Sequence, residues 1–157
     1  MTAIVTKLED CVGMSAAEFI MHRDPMLLLD TLVECSGGTT VCEWQVNPDD
    51  SFVEFGAGVP AHIGVEFMAQ CVAVHAGARA RVDGFGPPLG FLLGTRHFTA
   101  SVTHFEVGES YRATCEELIR DTSGMGSYEC SIVQGDTTVA KARLAVLEKE
   151  RGKKTGD

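Results

Sequence analysis

The stretch VPAHIGVEFMAQCVAVHAGARAR, residues 59–81, sets the tightest limit on what this chain can fold into. Pro60 has the fixed backbone angle that suits a first helical turn, and the run behind it predicts one long helix ending near RVDGFGPP. Ile63, Val65, Phe67, Met68, Cys71, Val72 and Val74 put apolar groups on most sides of that helix, so it must be buried. A chain of 157 residues is expected to form one domain around one core, and the remaining residues have to cover the helix.

The cover reads as strands. MLLLDTLVECSG and TTVCEWQV are two strand-like runs joined by Gly37 and Gly38, with Cys42, Trp44 and Val46 alternating against Glu43 and Gln45. After the helix come LGFLLGTRHFTASV, GESYRATCEELIRD, MGSYECSIVQG and TTVAKARLAVLE, with inward sets such as Tyr111, Ala113, Cys115 and Ala140, Ala142, Leu144. Turn-length links among these four predict antiparallel neighbours. Ser15 with Glu18 three positions on predicts a capping box for a short helix over residues 14–21. The sum is an α+β domain, a curved antiparallel sheet wrapped around one long central helix, over residues 1–148, with 149–157 as a disordered polar tail. One exposed sheet edge remains, and pairing it in a dimer is the expected remedy.

Charge and cysteine usage narrow the function. A net charge of -9, with only 13 Lys and Arg, argues against nucleic-acid binding. The N-terminus lacks the pattern of a signal peptide and no apolar run is long enough to span a bilayer, so no membrane role and a cytoplasmic location are expected. Six cysteines without a CxxC pair predict reduced, buried thiols.

His62, Glu66 and Gln70 fall four residues apart and form one polar stripe on the apolar helix. A carboxylate removed from water holds its proton more tightly and is thereby prepared to act as a general acid. The alternative is a carboxylate facing a solvent channel or a dimer contact. His62 and Glu66 can also reach one ion, but HExxH is absent and no second helix supplies further ligands, so no metal and no cofactor are expected. His75, His97 and His104 have no partner motif, and Arg79, Arg81 and Arg96 read as solvated.

HRDPMLLLDTLVE followed by VPAHIGVEFMAQ resembles the 3-hydroxyacyl-acyl-carrier-protein dehydratases of the hotdog fold. In that family a His-Arg-x-Pro-Phe-Leu-Leu-Val-Asp segment opens the first strand, and the central helix carries Leu-Glu-Ala-Met-Ala-Gln. The match runs from about residue 16 to residue 147, and with GFLLGTRHF the chain is similar to a branch associated with aryl-polyene biosynthesis. The resemblance implies dehydration of carrier-bound 3-hydroxyacyl thioesters to trans-2-enoyl thioesters, on acyl carrier protein or coenzyme A. It assigns Glu66 as the acid, Gln70 as its orienting partner, and the Ala61 backbone N–H as the donor that polarises the thioester carbonyl; His62, by its place in the first helical turn, is expected to line a pocket mouth.

The sequence departs from the family at the base. The family's histidine lies fourteen residues before the acid, where this chain has Phe52. Three sources of a base follow: His22 in the HRDP segment, His62 one turn from Glu66, or a histidine-bearing paralogue in a heterodimer rather than a homodimer. His22 is the provisional choice. The rival functions are an acyl thioesterase and a non-catalytic acyl-binding subunit.

Overall fold

The computed structural model describes residues 4–149. Strands β1 (Thr31–Ser36) and β2 (Thr39–Gln45) form a hairpin, with Gly37 at a φ of 56° supplying the left-handed backbone that so tight a turn needs. The chain then reaches the helix through β3 (Val59–Pro60) and a 3₁₀ turn over Ala61–Ile63, so α1 begins later than its sequence predicts and spans Gly64–Val82. Pro60 lies in β3 because that strand pairs with β5 (His104–Phe105), a contact between distant segments that no local pattern announces.

Strands β4 (Gly90–Ala100), β6 (Ser110–Arg120), β7 (Met125–Gln134) and β8 (Thr137–Glu148) complete an antiparallel six-stranded sheet in the order β1-β2-β6-β7-β8-β4. The sheet curves around α1, touching it from β2, β4, β6, β7 and β8, which is the hotdog arrangement. β6, β7 and β8 are neighbours as their short links predict. β4 is not beside the next long strand: the chain crosses from β4 to β6 through β5, and β4 pairs with β8 instead.

The inward sets of β6, β7 and β8 are buried as their alternation requires. The helix is locked at its N-terminal half by aromatic packing: Trp44 stacks on Phe67 at 4.1 Å, with Tyr111 and Phe105 completing the cluster. Each such pair contributes about 0.5–1.5 kcal/mol beyond its burial. All six cysteines are buried and unpaired.

The two sheet edges differ. Along β1, Gly13 N–H donates to Leu32 O and Leu32 N–H to Met14 O, so the N-terminal segment covers that edge. Along β4 no described residue pairs on the outer side, and Leu89, Phe91, Leu92 and Leu93 stand exposed. The N-terminal segment forms 3₁₀ turns at Leu8–Cys11 and Ala16–Glu18, the second standing in place of a helix over 14–21. Ser15 Oγ accepts from Ala17 N–H as a cap should, but Ala16 N–H is drawn to Asp30 O, and Glu18 reaches Arg81 rather than its own cap. At the other end, Lys149 N–H still donates to Leu89 O, and the remaining tail, 150–157, lies outside the described residues.

A Cβ at Gly77 would collide with the Phe19 carbonyl oxygen and lie 2.8 Å from the Phe19 Cβ. The segment leading to His22 can therefore rest on α1 only because residue 77 has no side chain. Gly77→Ala is expected to destabilise the fold by about 1–3 kcal/mol, read as a lower urea midpoint; an unchanged midpoint would contradict this packing.

Candidate functional site

Gln70 is the most deeply buried member of the polar stripe, at 1 % exposure. Its Oε1 accepts from Leu28 N–H at 2.9 Å, and since a backbone N–H can only donate, that contact fixes the orientation of the amide. The Nε2 group then donates to Met26 O at 2.8 Å and to Glu66 Oε1 at 3.3 Å. One side chain thus ties the 26–28 backbone to the helix and steadies Glu66. This also explains why residues 26–28, read as the start of the first strand, are not strand: their hydrogen bonds go to Gln70 and to the turn before them.

That turn is closed by Arg23, whose Nη1 donates to Ile20 O at 2.8 Å and His22 O at 2.7 Å, while Met26 and Leu27 N–H groups donate to Arg23 O. The result holds His22 Nε2 4.0 Å from Glu66 Oε1, with the side chains 38 % and 40 % exposed respectively. Glu66 is therefore half-buried in this chain and not fully removed from water. His22 Nδ1 is buried and has no hydrogen-bond partner among the described residues.

The pair opens into a cavity of about 240 Å³. The helix side is kept hollow by Ala69, Ala73 and Ala76, small residues at three- and four-residue spacing on one helical face. β4 supplies Phe91 and Leu92, and Tyr128 of β7 and Glu148 of β8 line it as well. Sequence reasoning missed this cavity; the alanine spacing was the available signal.

Behind Tyr128 and Glu148 lies a charged cluster. Arg79 bridges Glu117 (3.0 Å) and Glu148 (2.9 Å), so it is paired and partly buried rather than solvated. His75, 2 % exposed, has Nδ1 2.8 Å from Thr40 Oγ1 and Nε2 3.8 Å from Glu117. Burial, followed by the nearby Arg79 charge, pushes the His75 imidazole down to about 4. Burial likewise pushes the Tyr128 phenol up to about 12.

Two of the expected binding residues lie elsewhere. The Ala61 N–H donates to Thr103 O at 2.9 Å, because the β3–β5 pairing brings residue 103 against the helix start; it is occupied and does not line the cavity. His62 is exposed, lies outside the cavity lining, and makes no ion pair with Glu66 among the described residues. Phe52, fourteen residues before Glu66, packs toward the core and lines a separate hollow with Pro25 and Phe67. His104 meets Glu54 at 3.4 Å, and His97 is an exposed β4 residue with a φ of 57°. Among the described residues no three His, Cys, Asp or Glu side chains are grouped to hold a metal ion.

The family described as ApeP-like, ApeP dehydratase, matches residues 14–155. The chain belongs to this ApeP-like dehydratase family. It superposes with a TM-score of 0.82 and 25% identity on a structure described as the dehydratase heterocomplex ApeI:P from Xenorhabdus doucetiae, over 87% of this chain and 92% of that one. Two more distant structures share the fold. One is smu.793 from Streptococcus mutans bound to acetyl CoA, with TM-score 0.59 and 11% identity over 78% of this chain and 90% of that one. The other is zebra fish thioesterase superfamily member 2, with TM-score 0.57 and 12% identity over 75% and 79%. No curated protein is similar enough in sequence to count as a match. No helix of the described residues of this ApeP-like chain is long and apolar enough to cross a membrane.

Two predictions follow from these contacts. Gln70→Leu removes the side-chain partners of the part-buried Leu28 N–H and Met26 O and is expected to cost about 1–3 kcal/mol in all, seen as a reduced denaturation midpoint. His75 binds its proton less readily folded, at about 4, than at its ordinary value of 6.5. The unfolded chain therefore binds more protons in between, and the stability His75 contributes is complete above pH 6.5 and is lost as pH falls toward 4, by roughly 3 kcal/mol. The difference between wild-type and His75→Gln stability curves should shrink over that window; a pH-independent difference would contradict the assignment.

Proposed function

We propose that this ApeP-like chain dehydrates 3-hydroxyacyl thioesters, carried on acyl carrier protein or coenzyme A, to trans-2-enoyl thioesters in polyene-type biosynthesis. The observation that carries the proposal is the juxtaposition of His22 and Glu66 at 4.0 Å at the mouth of an apolar cavity. His22 Nε2 takes the proton from C2, the C2–C3 double bond forms, and the C3–O bond breaks as the leaving oxygen receives a proton from the Glu66 carboxylic acid. Water departs, and the imidazolium returns its proton to the Glu66 carboxylate, for which the two groups are already close.

This geometry puts acid and base on one side of the substrate, so proton and hydroxyl leave from the same face. Gln70 holds Glu66 by donating to Oε1, which leaves the other carboxyl oxygen to carry the transferred proton. With the Ala61 N–H taken by Thr103, the mechanism draws no carbonyl-polarising donor from that residue.

A second reading concerns the assembly. The ApeI:P structure is described as a heterocomplex, and this chain leaves β4 unpaired with exposed leucines and a phenylalanine along it. These observations support a heterodimer with a histidine-bearing paralogue, in which the partner's histidine takes the role of base at Glu66.

Purified chain, alone and with such a paralogue, is assayed for enoyl formation and for free thiol release. Glu66→Gln and His22→Ala are each expected to reduce enoyl formation by roughly 10²–10⁴-fold. Full turnover in His22→Ala would assign the base to the partner, and thiol release without enoyl product would replace the dehydratase reading with a thioesterase.

A further inference from the structure

Arg96 and Arg143 stand directly opposite each other on β4 and β8, so two guanidiniums share one face of the sheet beside its open edge. We propose that Arg96 selects the chain that pairs with β4, admitting a strand that carries an acidic side chain next to it and turning away a second copy of this chain. The proposal rests on the reading of β4 as the edge where subunits meet.

The charges form a row across the sheet. Glu116 of β6 faces Glu129 of β7, Glu129 faces Arg143 of β8, and Arg143 faces Arg96. Directly opposed residues share a face, where like charges repel and opposite charges attract. Glu129 lies 3.0 Å from Arg143 and offsets that charge. Arg96 makes no ion pair among the described residues, and Lys141, two positions from Arg143, adds another exposed cation to the same face. The next place in the row lies beyond β4, on the strand that completes the sheet, and an acid there would pair with Arg96.

Register fixes what a second copy would bring to that place. β4 has two irregularities, one between Leu92 and Gly94 and one between Arg96 and Thr99, where His97 takes a φ of 57°. The run between them is 94–96, and Thr95 is its middle residue and the middle of β4 as well. Two copies of β4 related by a two-fold axis, with each bulge facing the other bulge of the copy, pair antiparallel with Thr95 opposite Thr95. Gly94 then faces Arg96, and the two Arg96 side chains are diagonal neighbours on one face, roughly 7–8 Å apart. Both Arg143 side chains flank them, and each Glu129 lies on the far side of its Arg143, away from the seam. A seam between two copies is therefore cationic with no acid inside it, while a strand with an acid near Arg96 relieves the same charge.

The test supplies the acid from this chain itself. Wild-type chain and Arg96→Glu are labelled at their N-termini with different fluorophores, and energy transfer is followed against concentration at low salt. The mixed pair is expected to associate roughly tenfold more tightly than wild type with wild type, and the gain is expected to fade at high salt, which screens exposed charges. Arg112→Glu makes the same change in net charge on β6, away from the edge, and is expected to give no gain. A mixed pair that associates no more tightly than wild type alone, or an equal gain from Arg112→Glu, overturns the proposal. Leu93→Asp in both chains, at an exposed β4 position, is expected to abolish the transfer. Transfer that survives it shows that the chains meet elsewhere, and overturns the β4 reading and this proposal with it.

Discussion

The Gln70 side chain holds the functional end of this molecule together. Three hydrogen bonds leave one buried amide: two to the backbone at Met26 and Leu28 and one to Glu66. Each backbone bond spans more than forty residues of sequence, so a single helical side chain substitutes for the sheet ladder that the 26–28 segment lacks. Inside a low-dielectric interior such bonds are strong when complete and expensive when broken, which makes the segment's position well defined. His22 reaches Glu66 because the loop between them is closed at one end by Gln70 and at the other by Arg23 on the Ile20 and His22 carbonyls.

Further along the same helix is a second polar station, where Arg79 joins Glu117 of β6 to Glu148 of β8. Beyond Gln70 the helix lines the cavity with Val72, Ala73 and Ala76. A cavity lined mostly by small and apolar residues, with Glu66 and Glu148 among them, has room for a mostly hydrocarbon group. Membership in the ApeP-like dehydratase family fits that geometry.

Much of this was legible in the sequence, for physical reasons. The His62, Glu66, Gln70 stripe follows from helical periodicity, and the strands from two-residue alternation, so both are local signals. Which group stands beside Glu66 was not legible from spacing, and His22 was named only through the resemblance: His62 and Glu66 share a face, yet Glu66 meets His22, because the approach of the 20–28 segment is set by Gly77 and Gln70. The Ala61 amide donates to Thr103 O through the pairing of β3 with β5, two short strands with no pattern of their own. The far station was hidden for a similar reason. Arg79 and Glu148 are 69 positions apart, one read as a solvated helix end and the other at the last residue before the polar tail. β4 gave a correct strand but no neighbour, since its pairing with β8 is fixed by the crossover and not by the link to the next strand.

The central claim is that His22 and Glu66 work as one unit in this chain. A double-mutant cycle on enoyl formation, with His22→Ala, Glu66→Gln and the double variant, tests it most directly. The account predicts that the double variant is no slower than the slower single variant, because removing either partner already abolishes the concerted proton transfers. Losses that multiply would show two residues acting independently and would contradict the account.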